Sequence, residues 1–115
     1  EGKKIDVDKA TILTPGKKLT ILLDTGLHPN CMKLAKDSDL LISESTFSDE
    51  HEKEAISYRH LTSRQAAKIA KKTNAKQLIP THFSQRYKKL DEMEKQAKEE
   101  FKNVKLAHDF MSVSI

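Results

Sequence analysis

Leu78-Ile79-Pro80-Thr81-His82-Phe83-Ser84-Gln85-Arg86-Tyr87 sets how the rest of the chain is read. It opens on an apolar run too short for a helix of ordinary length, which predicts a buried strand over residues 77–80. The run ends on a histidine. Two earlier runs have the same form: Leu19-Thr20-Ile21-Leu22-Leu23 is followed by Asp24, and Leu40-Leu41-Ile42 by Ser43 and Glu44. In open α/β sheets, ligands bind in the crevice beyond the carboxyl ends of the strands. Three strands that each end in a titratable group therefore aim Asp24, Glu44 and His82 at one rim.

Helical segments separate these strands. Residues 29 to about 36 read as a short helix, with Met32, Leu34 and Ala35 available for packing. Thr62-Ser63-Arg64-Gln65 has the hydroxyl-then-Gln spacing of a capping box. The helix it opens carries Ala66, Ala67, Ile69 and Ala70 on one stripe and stops near Thr73-Asn74. Leu90, Met93, Ala97 and Phe101 recur at helical spacing, so residues 90–101 form an amphipathic helix. Residues 45–59 are polar and irregular and read as a loop with at most a helical turn. Residues 104–106 and 110–115 close the chain as strands; Met111, Val113 and Ile115 alternate with Ser112 and Ser114, as in a strand with one buried side. Residues 1–13, with Ile5, Val7 and Ile12, suit a hairpin or edge strand. The β-α-β-α-β-α-β order is that of an α/β domain.

The composition narrows the function classes. The chain has 115 residues, 37% hydrophobic and 33% charged, and so a thin core. It begins at Glu1, mid-pattern, and helices of this length cover one sheet face only; both features predict a piece of a larger domain. The net charge is +4 with a pI near 9.1. Eighteen of the 21 basic residues are lysines interleaved with acids, so the charge permits nucleic-acid binding without requiring it. No apolar run approaches the roughly 20 residues of a membrane span. The single cysteine, Cys31, rules out an internal disulfide and points to a reducing cytoplasm. No zincin HExxH, phosphate-binding loop, dinucleotide-binding glycine pattern or serine nucleophile elbow occurs.

By residue type alone, the rim residues admit ordinary readings too. Asp24 opens Asp24-Thr25-Gly26 and serves equally as a turn cap; as a ligand it offers a hard carboxylate oxygen able to bridge two cations. His82 serves equally as a buried, hydrogen-bonded imidazole; as a ligand its neutral nitrogen suits zinc. His60, just before the capping box, is a loop residue or a proton donor to a leaving oxygen, with Glu44 orienting it. His28, His51 and His108 read as surface residues, and Cys31 as a packing residue.

Four segments resemble a known family in order and separation. Leu23-Asp24-Thr25 resembles the Gly-Asp-Thr strand end of ribonuclease Z. Leu41-Ile42-Ser43-Glu44-Ser45-Thr46-Phe47 resembles its His-Glu-Ala-Thr segment. His60-Leu61-Thr62 with Gln65-Ala66-Ala67 resembles its His-Ser-Thr segment and the helix after it. The stretch quoted first resembles its Leu-Thr-His-Phe-Ser-x-Arg-Tyr signature, the most specific of the four. The departures are Leu23 for Gly, Ser43 for His, Ser45 for Ala and Leu61 for Ser. The family's His-x-His-x-Asp-His motif is absent from this chain.

The resemblance implies the C-terminal half of a metallo-β-lactamase αββα sandwich spanning residues 1–115, a mixed sheet with helices on one face and the N-terminal half missing. It implies an endonuclease that uses two zinc ions to remove the 3′ trailer of precursor tRNA and leaves a 3′-hydroxyl. Asp24 and His82 map to metal ligands, and Glu44 and His60 to a dyad that protonates the leaving group. Ser84 and Arg86 are expected to contact phosphate or brace the site. Two protein ligands fall short of the three that a catalytic zinc usually takes, so this chain alone is expected neither to hold zinc tightly nor to cleave RNA. The expected setting is a cytoplasmic homodimer, since an exposed sheet face favours self-association. Two alternatives stand: a metallo-β-lactamase-fold phosphodiesterase of a small molecule, marked by activity on cyclic nucleotides, and a non-catalytic RNA-binding or assembly module, marked by an upstream region without the His-x-His-x-Asp-His motif.

Overall fold

The computed structural model describes residues 4–6 and 16–115. Three parallel strands, β2 (Leu19–Leu22), β3 (Leu40–Glu44) and β4 (Leu78–Thr81), form a sheet in that order. β1 (Lys4–Asp6) pairs antiparallel with β5 (Ser112–Ser114) in a separate ladder. Parallel and antiparallel pairing are thus both present, in two ladders. Val7 and Ile12 lie outside the described residues.

Every residue of the central strand β3 is buried, as expected of a parallel strand covered on both faces. The faces alternate along the chain. Leu22, Leu41 and Leu78 join Cys31, Ala35, Ala66, Ala67, Ile69, Ala70 and Ala97 beneath the helices. Leu40, Ile42 and Ile79 point the other way, where Met111 and Val113 pack on them. The second face is therefore not bare, as the chain's length had suggested. The C-terminal segment covers it thinly, leaving Leu19 and Ile21 only partly buried.

α1 (Pro29–Ala35) begins where Pro29 supplies a helical φ and His28 Nδ1 accepts from the Asn30 amide at 3.1 Å. α3 (Ser63–Lys72) opens on a complete capping box: Thr62 Oγ1 accepts from the Gln65 amide at 3.1 Å, and Gln65 Oε1 accepts from the Thr62 amide at 3.0 Å. Its alanine-rich stripe is fully buried and lets α4 (Asp91–Glu100) approach closely. Arg64 joins the two helices by ion pairs to Glu99, Glu100 and Asp49. These bonds, the one to Asp49 above all, raise the pKa of the guanidinium further, and Arg64 holds the Glu100 carboxyl below its usual range.

Two expectations change. Residues 45–59 contain a 3-10 turn (Asp49–His51) and a seven-residue helix, α2 (Glu52–Tyr58), that buries only Ala55. One buried residue leaves almost no apolar periodicity to read. Residues 104–106 make no strand, only an isolated bridge from Val104 to Leu78.

Candidate metal centre

The carboxyl ends of β2, β3 and β4 share one rim, because Leu22 is in register with Ser43 and Glu44 with Thr81. Asp24 lies two residues beyond β2 and His82 directly after β4. Both have left-handed backbones, with φ of 50° and 59°. Asp and His tolerate this region better than most residues, and the turn it makes swings each side chain back over the sheet end. His82 Nε2 lies 3.9 Å from Asp24 Oδ1.

His60 arrives from the opposite side. α2 ends on Arg59, itself left-handed at φ 58°, and the His60 amide closes the helix on Ala55 O at 2.8 Å. The next residues zip against the chain leaving β3: the Phe47 amide donates to Leu61 O and the Ser63 amide to Phe47 O. This places the His60 ring 5.8 Å from that of His82, centroid to centroid. One ligand atom from each of Asp24, His60 and His82 lies within 4.8 Å of the others.

Beneath them, Glu44 is wholly buried. A buried carboxylate is tolerated where donors surround it. Glu44 Oε1 accepts from the Thr25 amide at 2.6 Å, and Oε2 faces Thr46 Oγ1 at 2.6 Å and His60 Nδ1 at 2.8 Å. Thr46 Oγ1 also lies 3.2 Å from His82 Nδ1. Exposure thus rises from a sealed carboxylate, through a half-buried His60, to exposed Asp24 and His82.

The stretch after His82 braces this arrangement. The Ser84 amide donates to Thr46 O at 2.9 Å, and Ser84 Oγ accepts from the Arg86 amide at 3.3 Å. The Arg86 guanidinium lies over the Phe47 ring, 5.2 Å from its centroid, and 3.6 Å from Glu54. Tyr87 Oη accepts from the Ser48 amide at 2.8 Å and lies 2.6 Å from His51 Nδ1. His51 is therefore a half-buried partner of Tyr87 rather than a surface residue, whereas His28 and His108 are exposed. A cleft of about 380 Å³, lined by Asp24, Thr25, Gly26, Leu27, His28 and Arg59, opens beside the cluster.

One carboxylate and two imidazoles make the kind of donor set that catalytic zinc takes, so the residues present fit that metal. Among the described residues, no helix is long and apolar enough to cross a membrane.

The fold is that of metallo-β-lactamase-fold proteins. A metallo-β-lactamase-fold protein of Bacillus subtilis superposes with a TM-score of 0.80 over 89% of this chain and 42% of its own, at 27% identity. The short form of human tRNase Z superposes with a TM-score of 0.70 over 90% of this chain and 35% of its own, at 36% identity. In sequence, ribonuclease Z of Pediococcus pentosaceus is 41% identical over all of this chain and 41% of its own length. No family profile matches the chain. In sequence it is similar to ribonucleases Z, and it spans 33–41% of the length of these curated relatives.

Proposed function

We propose that this chain is part of a zinc-dependent endoribonuclease that removes the 3′ trailer of precursor tRNA. The observation that carries this reading is the convergence of Asp24, His60 and His82 within 4.8 Å above a sealed glutamate. The names of the relatives, ribonuclease Z and tRNase Z, supply the substrate class. Asp24 and His82 would hold the metal. When bound, zinc supplies positive charge that stabilises the developing charge on the scissile phosphate. His60, fixed through Nδ1 by Glu44, delivers the proton carried on Nε2 to the ribose 3′ oxygen as the P–O3′ bond breaks. Water forms the new P–O bond and releases a proton to solvent, so the upstream product ends in a 3′-hydroxyl and the trailer begins with a 5′-phosphate. Arg86 and Ser84 present a cation and a hydroxyl to a neighbouring phosphate, and the cleft beside Asp24 gives the RNA room to approach.

The complete enzyme holds two zinc ions, with further ligands from outside this chain. It works in the cytoplasm, in keeping with the lone buried thiol of Cys31, and as a homodimer. Exposed Leu23, Leu27 and Leu34 beside β2, the outer strand of its sheet among the described residues, provide an apolar surface for association.

The cluster also favours a second reading of one residue, with His60 as a third metal ligand and Glu44 orienting it. Carboxylate-to-histidine bonds of that kind are common around zinc. One experiment separates the readings, done on the chain with its native flanking sequence. Zinc content and precursor-tRNA cleavage are measured for His82→Ala and His60→Ala. The proposal expects metal and activity both lost in the first, and metal kept but cleavage slowed in the second. Equal metal loss in both makes His60 a ligand. Activity on cyclic nucleotides with none on precursor tRNA overturns the substrate assignment.

A further inference from the structure

Thr46 stands between two groups that the proposed chemistry treats separately, and the hydrogen bonds give it a definite part. Its hydroxyl has one proton. Oγ1 lies 2.6 Å from Glu44 Oε2 and 3.2 Å from His82 Nδ1. A carboxylate only accepts, and a bond to it is stronger than one to a neutral ring nitrogen. Charge and distance agree, so the hydroxyl proton goes to Glu44. What remains on Oγ1 for His82 is a lone pair. His82 must then donate from Nδ1, which leaves Nε2 without a proton, on the side of the ring that faces Asp24 Oδ1 at 3.9 Å.

The backbone leaves Thr46 little freedom to turn away. The Ser45 amide donates to Thr81 O at 2.7 Å and the Ser84 amide to Thr46 O at 2.9 Å, so the two segments are tied on both sides of His82. Thr46 is itself buried. His82 is held at φ 59°, a conformation that the surrounding structure has to impose.

We infer that Thr46 is a positioning residue that relays the buried Glu44 carboxylate to His82 and fixes the His82 tautomer with Nε2 open as a metal ligand. Glu44 thereby serves two imidazoles. It bonds His60 directly at 2.8 Å and reaches His82 through one hydroxyl. The inference rests on the proposed role of His82 as a zinc ligand, but the tautomer itself is a property of the metal-free protein.

The test uses the chain with its native flanking sequence, with histidine ring nitrogens labelled by ¹⁵N, and compares wild type, Thr46→Val and Thr46→Ser. In metal-free wild type, the ring shifts and long-range couplings should show His82 protonated on Nδ1 and bare on Nε2. Thr46→Val removes the acceptor at nearly constant volume, so His82 should lose that preference. Zinc affinity, measured by calorimetry with the metal alone, should fall roughly 10- to 100-fold, the usual loss when a partner of a metal-bound histidine is removed. Thr46→Ser keeps the hydroxyl and should restore both readouts. A proton on Nε2 of His82 in wild type overturns the inference, whatever the variants do. So does an unchanged tautomer in folded Thr46→Val. If instead the tautomer follows Thr46 while His82→Ala leaves zinc affinity unchanged, the relay stands and the ligand role of His82 fails.

Discussion

Glu44 Oε2 lies 2.8 Å from His60 Nδ1, joining a side chain with no solvent exposure to an imidazole at the edge of solvent. The carboxylate is an acceptor on both oxygens, which sets the His60 Nδ1 proton toward it and leaves Nε2 for the proposed proton transfer. Glu44→Gln keeps the shape but puts an amide N–H₂ in place of one oxygen. That group faces either the Thr25 amide or the pair formed by Thr46 and His60, and each orientation sets donor against donor or inverts the His60 ring. In the chain with its native flanking sequence, the proposed cleavage of precursor tRNA should fall by about 100-fold or more in kcat in Glu44→Gln, the lower end of what a positioned proton donor contributes. Near wild-type kcat in the zinc-loaded variant would remove the dyad from the mechanism.

Tyr87 does its work one step further out. Its hydroxyl meets the Ser48 amide, the Ser48 hydroxyl and His51 Nδ1, and Ser48 is buried. Tyr87→Phe keeps the ring and orphans that amide, so it should destabilise the protein by about 1–3 kcal/mol, the range for a buried polar group left unpaired. Urea unfolding reads this directly. The residues just before Ser48 include Thr46 and Phe47, so kcat should fall more than KM rises. An unchanged unfolding midpoint would mean that the Ser48 amide finds another partner.

The strands and their rim residues were legible because each apolar run is short and ends on a titratable group. The capping box and the alanine stripe of α3 were legible because both are local, fixed by spacing along a few residues. α2 was not, since it buries Ala55 alone and leaves Ile56 and Tyr58 exposed. The cover on the second sheet face was not either. Met111 and Val113 showed one-sided alternation, but nothing local said that they would cross to Leu40 and Ile42. The meeting of Asp24 and His82 at the rim was legible from their positions after the strands. Thr46 was passed over, although it stands two residues after Glu44, because its importance arises only when β4 brings His82 beside it. His51 reads locally as a surface residue because its partner Tyr87 is 36 residues away.

The two-sided sheet makes a stability contrast among leucines. Leu41 is fully buried beneath the helices, whereas Leu34 on α1 is 58% exposed. Leu41→Ala should cost about 2–5 kcal/mol, combining lost transfer energy with the cavity left behind. Leu34→Ala should stay within about 0.5 kcal/mol, as surface changes usually do. Chemical denaturation of both variants checks the contrast. Similar losses would mean that Leu34 is covered in the native protein, which would support association through the β2 edge.

The rim opposite the site carries its own charge device. Asp39, just before β3, accepts from the Lys18 amide at 2.7 Å through Oδ2, and Lys76 Nζ lies 3.0 Å from Oδ1. The Lys18 amide first, and then Lys76, hold the Asp39 carboxyl below its usual range. A carboxylate whose pKa is depressed by folding binds fewer protons folded than unfolded between the two pKa values. Its contribution is therefore present above the unfolded value, near 3.8, and is lost as pH falls through the folded one. Asp39→Asn keeps an oxygen for the Lys18 amide but removes the charge that strengthens this bond, so it should lower stability at pH 7 by about 1 kcal/mol, with little from the solvent-screened pair with Lys76. The gap between wild type and variant should hold from pH 7 down to about pH 5 and then narrow as acid titrates Asp39. Parallel urea titrations over that range measure it. A gap that stays constant into acid would mean that the Asp39 bonds act through geometry alone, without the charge.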